Sequence, residues 1–63
     1  MKYSIEVGKI IEGALKHDQT KVINYTRQLI SKLNDDGENR AANKFKKLLA
    51  AQEESMLVAM NSA

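Results

Sequence analysis

The stretch EGALKHDQTKVINYTRQLISKL, residues 12–33, contains the end of one helical pattern and the whole of a second. On both sides of His17 and Asp18 the apolar residues recur at the spacing of one face of an α-helix. Asp18 is of a residue type that caps a helix N-terminus by accepting hydrogen bonds from its free N–H groups. Because the break is so short, we expect the two helices to run antiparallel.

A second turn follows at NDDGENR, residues 34–40. Gly37 is expected to adopt the left-handed conformation after the second helix, and Asp35 and Glu38 have capping-box spacing for a third. The pattern predicts helices over about residues 3–16, 19–34 and 38–60. The predicted fold is therefore all-α: an up-down-up three-helix bundle whose third helix is the longest, in a single domain over residues 1–63.

Each predicted helix carries one apolar face, formed by the following residues: Tyr3, Val7, Ile10, Ile11, Ala14 and Leu15; Val22, Ile23, Thr26, Leu29, Ile30 and Leu33; and Ala41, Phe45, Leu48, Leu49, Gln52, Met56 and Met60. Phe45 is the only phenylalanine, and we expect it at the centre of the core. Gly8 is expected where two helices approach closely. Gln52 interrupts the third face, so we place its amide at the mouth of the bundle.

Composition limits the classes of protein that fit. The chain has 63 residues, no cysteine and a formal net charge of +2. A chain of this size buries only about 60% of its unfolded surface, so a partner that adds to the core would stabilise it. No apolar run approaches the roughly 18 residues of a membrane span, and the N-terminus lacks a signal peptide. We expect a cytoplasmic protein with no membrane partner.

The sequence offers no recognisable reaction chemistry. His17 is the only histidine, and no serine has a base and an orienting acid beside it. The segment GKIIEGAL, residues 8–15, has two glycines like a phosphate loop but lacks the Lys and Ser/Thr that must follow. We therefore predict no catalytic residue, no cofactor and no metal site.

Two surfaces of the third helix are candidates for binding. Arg40, Lys44 and Lys47 form a basic stripe opposite the apolar arc, which is suited either to phosphate oxygens or to solvent. No recognition-helix pattern or interleaved aromatic residue supports nucleic-acid binding, so a small nucleic-acid binder is the least favoured alternative.

The second surface is the end of the third helix, which is predicted to extend roughly 10 Å beyond its neighbours. Met56, Leu57 and Met60 lie in this extension, and with Gln52 they are the candidate partner-binding residues. Methionine adapts to varied partners. We expect these residues to pack on a second molecule, the alternative being a frayed helix end.

Residues 10–50 resemble the small helical domain at the N-terminus of a group of bacterial AAA+ ATPases. The resemblance is carried by Ile10, Ile11 and Leu15, the HD break at 17–18, Val22, Leu29 and Ile30, and then Gly37, Ala42, Phe45, Leu48 and Leu49. It is a spacing of apolar residues around two breaks. The second helix carries less charge than the family pattern, and the Walker motifs of the ATPase itself are absent.

This resemblance implies an architecture similar to MIT (microtubule-interacting and trafficking) domains, which precede the ATPase module in spastin-like proteins. It also implies a non-catalytic domain, the N-terminal part of a larger protein, that docks a protein partner or client for an ATP-driven hexamer. We expect the grooves between the helices to receive that partner, with the first helical hairpin as one wall of a groove. The alternative from a different class is a free-standing helical regulator or homodimer. A Walker A loop encoded shortly after residue 63 would favour the first.

Overall fold

The chain folds into three α-helices. A computed structural model describes the backbone of residues 2–61 and the side chains of residues 2–52. The helices are α1 (Ser4–Leu15), α2 (Gln19–Asp35) and α3 (Asn39–Asn61). The predicted bounds differ from these by no more than one residue at each end, and α3 is the longest helix at 23 residues. The expected all-α three-helix bundle is confirmed.

The helix α2 is the centre of the bundle. It packs against both α1 and α3, whereas α1 and α3 do not pack against each other among the described residues. The molecule is correspondingly thin, with principal extents of 43 × 25 × 11 Å. The outer helices thus lie on α2 without closing over each other, which leaves a furrow between them.

The two turns have the same backbone design. After α1, the N–H groups of His17 and Asp18 donate to the carbonyl oxygens of Ala14 (3.2 Å) and Gly13 (2.8 Å). This pair of hydrogen bonds is a Schellman motif, in which one residue adopts the left-handed conformation. That residue is His17, with a φ of 57°. Asp18 then caps α2 as predicted, because its carboxylate accepts from the Lys21 N–H at 3.1 Å.

The second turn repeats the motif around Gly37, whose φ of 80° confirms the predicted left-handed residue. The N–H groups of Gly37 and Glu38 donate to Asn34 (3.1 Å) and Leu33 (2.8 Å). The predicted Asp35–Glu38 capping box is wrong. Asp35 is the last residue of α2, so it does not precede α3 as an N-cap. The Glu38 N–H donates to the Leu33 carbonyl oxygen of α2 and not to the Asp35 carboxylate.

The core is built on α2. Its buried apolar residues are Leu29, Ile30 and Leu33 from α2 and Ala42 from α3, with Tyr3, Val7, Ile10, Ala41, Phe45 and Leu49 packed around them. The prediction that Phe45 forms the centre is wrong, because its side chain is only partly buried. The cause is the open arrangement, in which α1 does not close over α3.

The apolar face of α1 differs in part from the prediction, since Tyr3, Val7 and Ile10 pack on the core as expected but the rest of the face does not. Its buried residues are Glu6 and Gly13, whereas Ile11 and Leu15 are 53% and 77% exposed. Glu6 is buried because Lys32 of α2 donates to its carboxylate. Periodicity assigns charged residues to the outer face, so the burial of Glu6 was not expected. Close approach occurs at Gly13 and not at Gly8, which has no neighbouring atom within 4 Å of a built Cβ.

Candidate protein-docking site

An apolar groove runs along α2 between the two outer helices. Its cavity has a volume of about 320 Å³. None of the described residues that line it is charged: Ile10, Gln19, Val22, Ile23, Thr26, Leu29, Phe45, Leu48, Leu49 and Gln52. We call this surface the groove. It exists because α1 and α3 each bury apolar residues on α2 but leave the apolar surface between them uncovered.

The polar groups of the groove are few. The hydroxyl of Thr26 donates to the Val22 carbonyl oxygen at 2.6 Å, so its O–H is engaged within α2. The remaining side-chain donors of the lining are the amides of Gln19 and Gln52, both of which are exposed. An occupant of the groove is therefore selected mainly by apolar contact, with amide groups available at the rim.

Leu48 joins the groove to a second surface. Its side chain is 62% exposed, although the sequence pattern assigned it to the apolar face of the third helix. It lines the groove and also a shallow depression of about 680 Å³, whose other lining residues are Arg40, Asn43, Lys44 and Lys47. The predicted basic stripe therefore lies beside the groove, with Leu48 as the shared boundary, rather than opposite the whole apolar arc.

The basic stripe differs from the other cations of the chain in its pairing. Five lysines, all in or before α2, lie within 4.0 Å of a carboxylate: Lys2, Lys9, Lys16, Lys21 and Lys32. Arg40, Lys44 and Lys47 form no ion pair with any other described residue. Residues 39–52 carry four basic side chains, these three and Lys46, and no acidic one. The stripe is thus a local concentration of positive charge.

The lysines near the α1–α2 turn are held by one carboxylate. Glu12 lies 3.1 Å from both Lys16 and Lys21 and 3.9 Å from Lys9. Hydrogen bonds from Lys21, which has the larger effect, and from Lys16 favour the charged carboxylate of Glu12. They lower its pKa from 4.5 to about 2. Since Lys21 belongs to α2, this cluster ties the two helices together.

A second set of polar contacts ties the start of α1 to the end of α2. The Tyr3 hydroxyl donates to Asp36 Oδ2 at 2.7 Å, and Lys2 Nζ lies 3.3 Å from the same oxygen. The hydrogen bond to Asp36 raises the pKa of Tyr3 to about 12, and it lowers the pKa of Asp36. The pKa of Glu6 is also lowered, chiefly by its hydrogen bond from Lys32. These contacts position α1 but do not line the groove.

The candidate residues from the sequence fall in three places. Gln52 lines the groove, and Arg40, Lys44 and Lys47 line the adjoining depression. Met56, Leu57 and Met60 lie outside the residues whose side chains are described, so their expected contact with a second molecule stays a prediction. His17 is exposed at the first turn. Among the described residues no group of three or more His, Cys, Asp or Glu side chains is placed to hold a metal ion.

The sequence predicted grooves between the helices, but not which of them is open or which residues line it. Ile10, Val22 and Leu48 were assigned correctly to apolar faces, but periodicity shows only that a face is apolar and not whether a neighbouring helix covers it. Glu6 is charged, so the apolar periodicity gives no indication that it is buried. The one sequence signal was the polar Gln52 within the third face, which did indicate a position open to water.

We compared the chain with known protein families, curated proteins and solved structures. No protein-family model matches the chain, and neither the curated proteins nor the solved structures include a match to it. In the described part of the chain, none of the helices combines the length and the apolar character that crossing a bilayer requires. The groove and the basic stripe are the features that indicate a function.

Proposed function

We propose that this chain is a protein-interaction domain that binds a helical segment of another protein in the groove. The observation that carries the proposal is the uncharged groove, with Leu48 62% exposed at its rim. An apolar side chain exposed at the edge of a continuous apolar cavity is typical of interaction surfaces. A groove between helices is the usual receptor for the apolar face of an amphipathic helix.

The dimensions of the groove suit a helix. Its floor extends along α2 from Val22 to Leu29, which is roughly 10 Å at 1.5 Å per residue. Two turns of a partner helix cover that length and present apolar residues at i, i+3 or i+4, and i+7 to one side. Ile10 from α1 and Phe45 from α3 stand on either side of the floor. Such a helix would complete the bundle as a fourth member.

We further propose that this docking brings the bound protein to an ATPase. The resemblance of residues 10–50 to the N-terminal domains of bacterial AAA+ ATPases supports a domain that delivers a partner or client to an ATP-driven hexamer in the cytoplasm. The helix order agrees with that resemblance. In this proposal the domain itself has no catalytic role, and nucleotide chemistry belongs to a separate ATPase module.

A peptide panel tests the docking function. We would titrate the full chain with short fluorescent peptides that form amphipathic helices with leucines on one face, and measure anisotropy. Leu48→Ser should weaken binding about tenfold, which corresponds to about 1.4 kcal/mol. Leu15→Ser is the matched control, because Leu15 is 77% exposed but does not line the groove. Equal binding by both variants, or no binding by the parent, would refute the proposal.

A homodimer is the second candidate, because α1 has an apolar outer face. Ile5, Ile11 and Leu15 are 70%, 53% and 77% exposed, and Gly8 lies among them with open space around it. A second copy could cover this face through a two-fold contact. Sedimentation of the parent and of Leu15→Ser separates the two candidates. A dimer that dissociates in Leu15→Ser favours self-association, whereas a monomeric parent removes it.

A further inference from the structure

We propose that the groove and the basic stripe form one recognition surface, which selects a partner helix bearing acidic residues along the edge that faces α3. This inference rests on the proposed docking function and names the chemistry of the partner. It concerns only described residues: the groove supplies apolar contact, and Arg40, Lys44 and Lys47 supply charge at one side of it.

The continuity of the two surfaces is the first reason. Leu48 lines both the groove and the basic depression, so the two surfaces meet at one apolar side chain. Lys44 lies one helical turn before Leu48 on α3, and Lys47 precedes Leu48 directly. A helix that covers Leu48 with its apolar face brings the flank of that face within reach of these long side chains.

The second reason is that these cations lack partners within the described part of the chain. The lysines in or before α2 are matched to Glu6, Glu12 and Asp36, whereas Arg40, Lys44 and Lys47 are exposed and form no ion pair there. None of the described residues that line the groove is charged, and the stripe adjoins the groove on the α3 side at Leu48. Opposite charge across an interface speeds encounter and disfavours wrong partners.

The position of the stripe favours a protein over a nucleic acid. The cations occupy one side of an apolar groove, which matches the single charged flank of an amphipathic helix. Single-stranded nucleic acids bind where aromatic residues lie among the cations, and the lining of the basic depression contains none. A phosphate backbone would also leave Leu48 and the apolar groove uncovered.

Three matched peptides test the inference on the full chain. They share one leucine face and differ only along one flank, which carries Glu, Gln or Lys. We expect binding in the order Glu, Gln, Lys. Exposed ion pairs are individually weak, so three of them together should separate the Glu and Lys peptides by roughly tenfold. Added salt should reduce this difference while leaving the Gln peptide little changed.

Charge-reversal variants locate the effect. Lys44→Glu and Lys47→Glu should each lower affinity for the Glu peptide and raise it for the Lys peptide. Lys46→Glu is the matched control: it changes net charge equally on the same helix, but Lys46 lines a different depression with Arg27 and Ile30. Circular dichroism confirms that each variant is folded. A similar loss in Lys46→Glu would reduce the effect to net charge and overturn the inference.

The outcomes separate the inference from the docking function. If all three peptides bind equally and Leu48→Ser weakens them, the groove binds helices without charge selection, and only the inference fails. If no peptide binds, both fail. The same titration with a mixed-sequence oligonucleotide completes the test. Oligonucleotide binding that depends on Lys44, alongside peptides that are not discriminated, would assign the stripe to phosphate and overturn the inference.

Discussion

A Cβ atom added to Gly13 would lie 3.0 Å from Cγ2 of Val22, so the absence of a side chain at residue 13 sets how closely α1 lies on α2. The same Cβ would lie 3.3 Å from the Val22 nitrogen and from the Asp18 carbonyl oxygen, both of which are backbone atoms. Since Val22 also lines the groove, this contact positions part of the candidate docking site.

Gly13→Ala should destabilise the chain. Alanine favours a helix over glycine by about 1 kcal/mol, but crowding against a packed neighbour costs about 1–3 kcal/mol. We expect a net loss of about 1 kcal/mol in urea unfolding. Gly8→Ala is the matched control, because the added methyl meets no atom within 4 Å. It should stabilise by about 0.5–1 kcal/mol. Stabilisation by both substitutions would show that the α1–α2 contact is looser than the 3.0 Å distance indicates.

The two Schellman turns predict opposite effects of glycine. His17 has a φ of 57°, which costs a residue with a Cβ atom about 1–2 kcal/mol. Part of this is offset by the added flexibility of the unfolded chain, so His17→Gly should raise stability by about 0.5–1 kcal/mol. Gly37→Ala should lower it by about 1 kcal/mol, because Gly37 has a φ of 80°.

Thermal melts monitored by circular dichroism measure both changes. His17→Ala keeps the Cβ atom and removes the imidazole, so it should leave the melting temperature near that of the parent. A gain in His17→Ala as large as in His17→Gly would attribute the effect to the imidazole and not to the backbone.

The Glu12 cluster predicts a loss of stability in acid. The pKa of Glu12 is lowered from 4.5 in the unfolded chain to about 2 in the fold, so the folded state favours the charged carboxylate. Its contribution is fully present above pH 4.5 and is lost as the pH falls towards 2. Glu12→Gln should therefore make the urea midpoint depend less on pH across this range. Glu38→Gln serves as the control, since Glu38 forms no ion pair with a described residue. The same flattening in both variants would contradict the assignment to Glu12.

Tyr3 predicts a complementary loss in alkali. Its pKa is raised from 10.0 to about 12, so the fold favours the neutral phenol, and this contribution is lost as the pH rises from 10 towards 12. The chain has two tyrosines, and Tyr25→Phe leaves Tyr3 as the one that titrates. Phenolate absorbance should then show a midpoint near pH 12. Adding Asp36→Asn should bring the midpoint back towards 10, and an unchanged midpoint would remove the hydrogen bond to Asp36 as the cause.

The helix positions could be predicted because local signals determine them. Asp18 and Gly37 are residues whose side chain, or lack of one, acts within the turn itself, and both act as predicted. The burial of Glu6 could not be predicted, because its partner Lys32 is distant in the sequence. From sequence alone a carboxylate is predicted to be exposed, unless the cation that pairs with it is known.

The candidate site likewise has one part that could be predicted from the sequence and one part that could not. The stripe of Arg40, Lys44 and Lys47 was found from helical periodicity, which needs only one helix. A groove between helices was expected, but its lining could not be predicted, because it depends on how α1 and α3 are placed on α2, which the periodicity of a single helix does not encode. Leu48 illustrates the limit: its apolar character fits a core position, but it is 62% exposed because no helix covers it.

The separation of α1 from α3 has a consequence for how the chain folds. Among the described residues, helices pack only against their neighbours in the sequence, across turns of three residues. Chains with such local packing have short loops to close and fold within microseconds to milliseconds. Because the two hairpins close through separate turns and share α2, either contact can form first during folding.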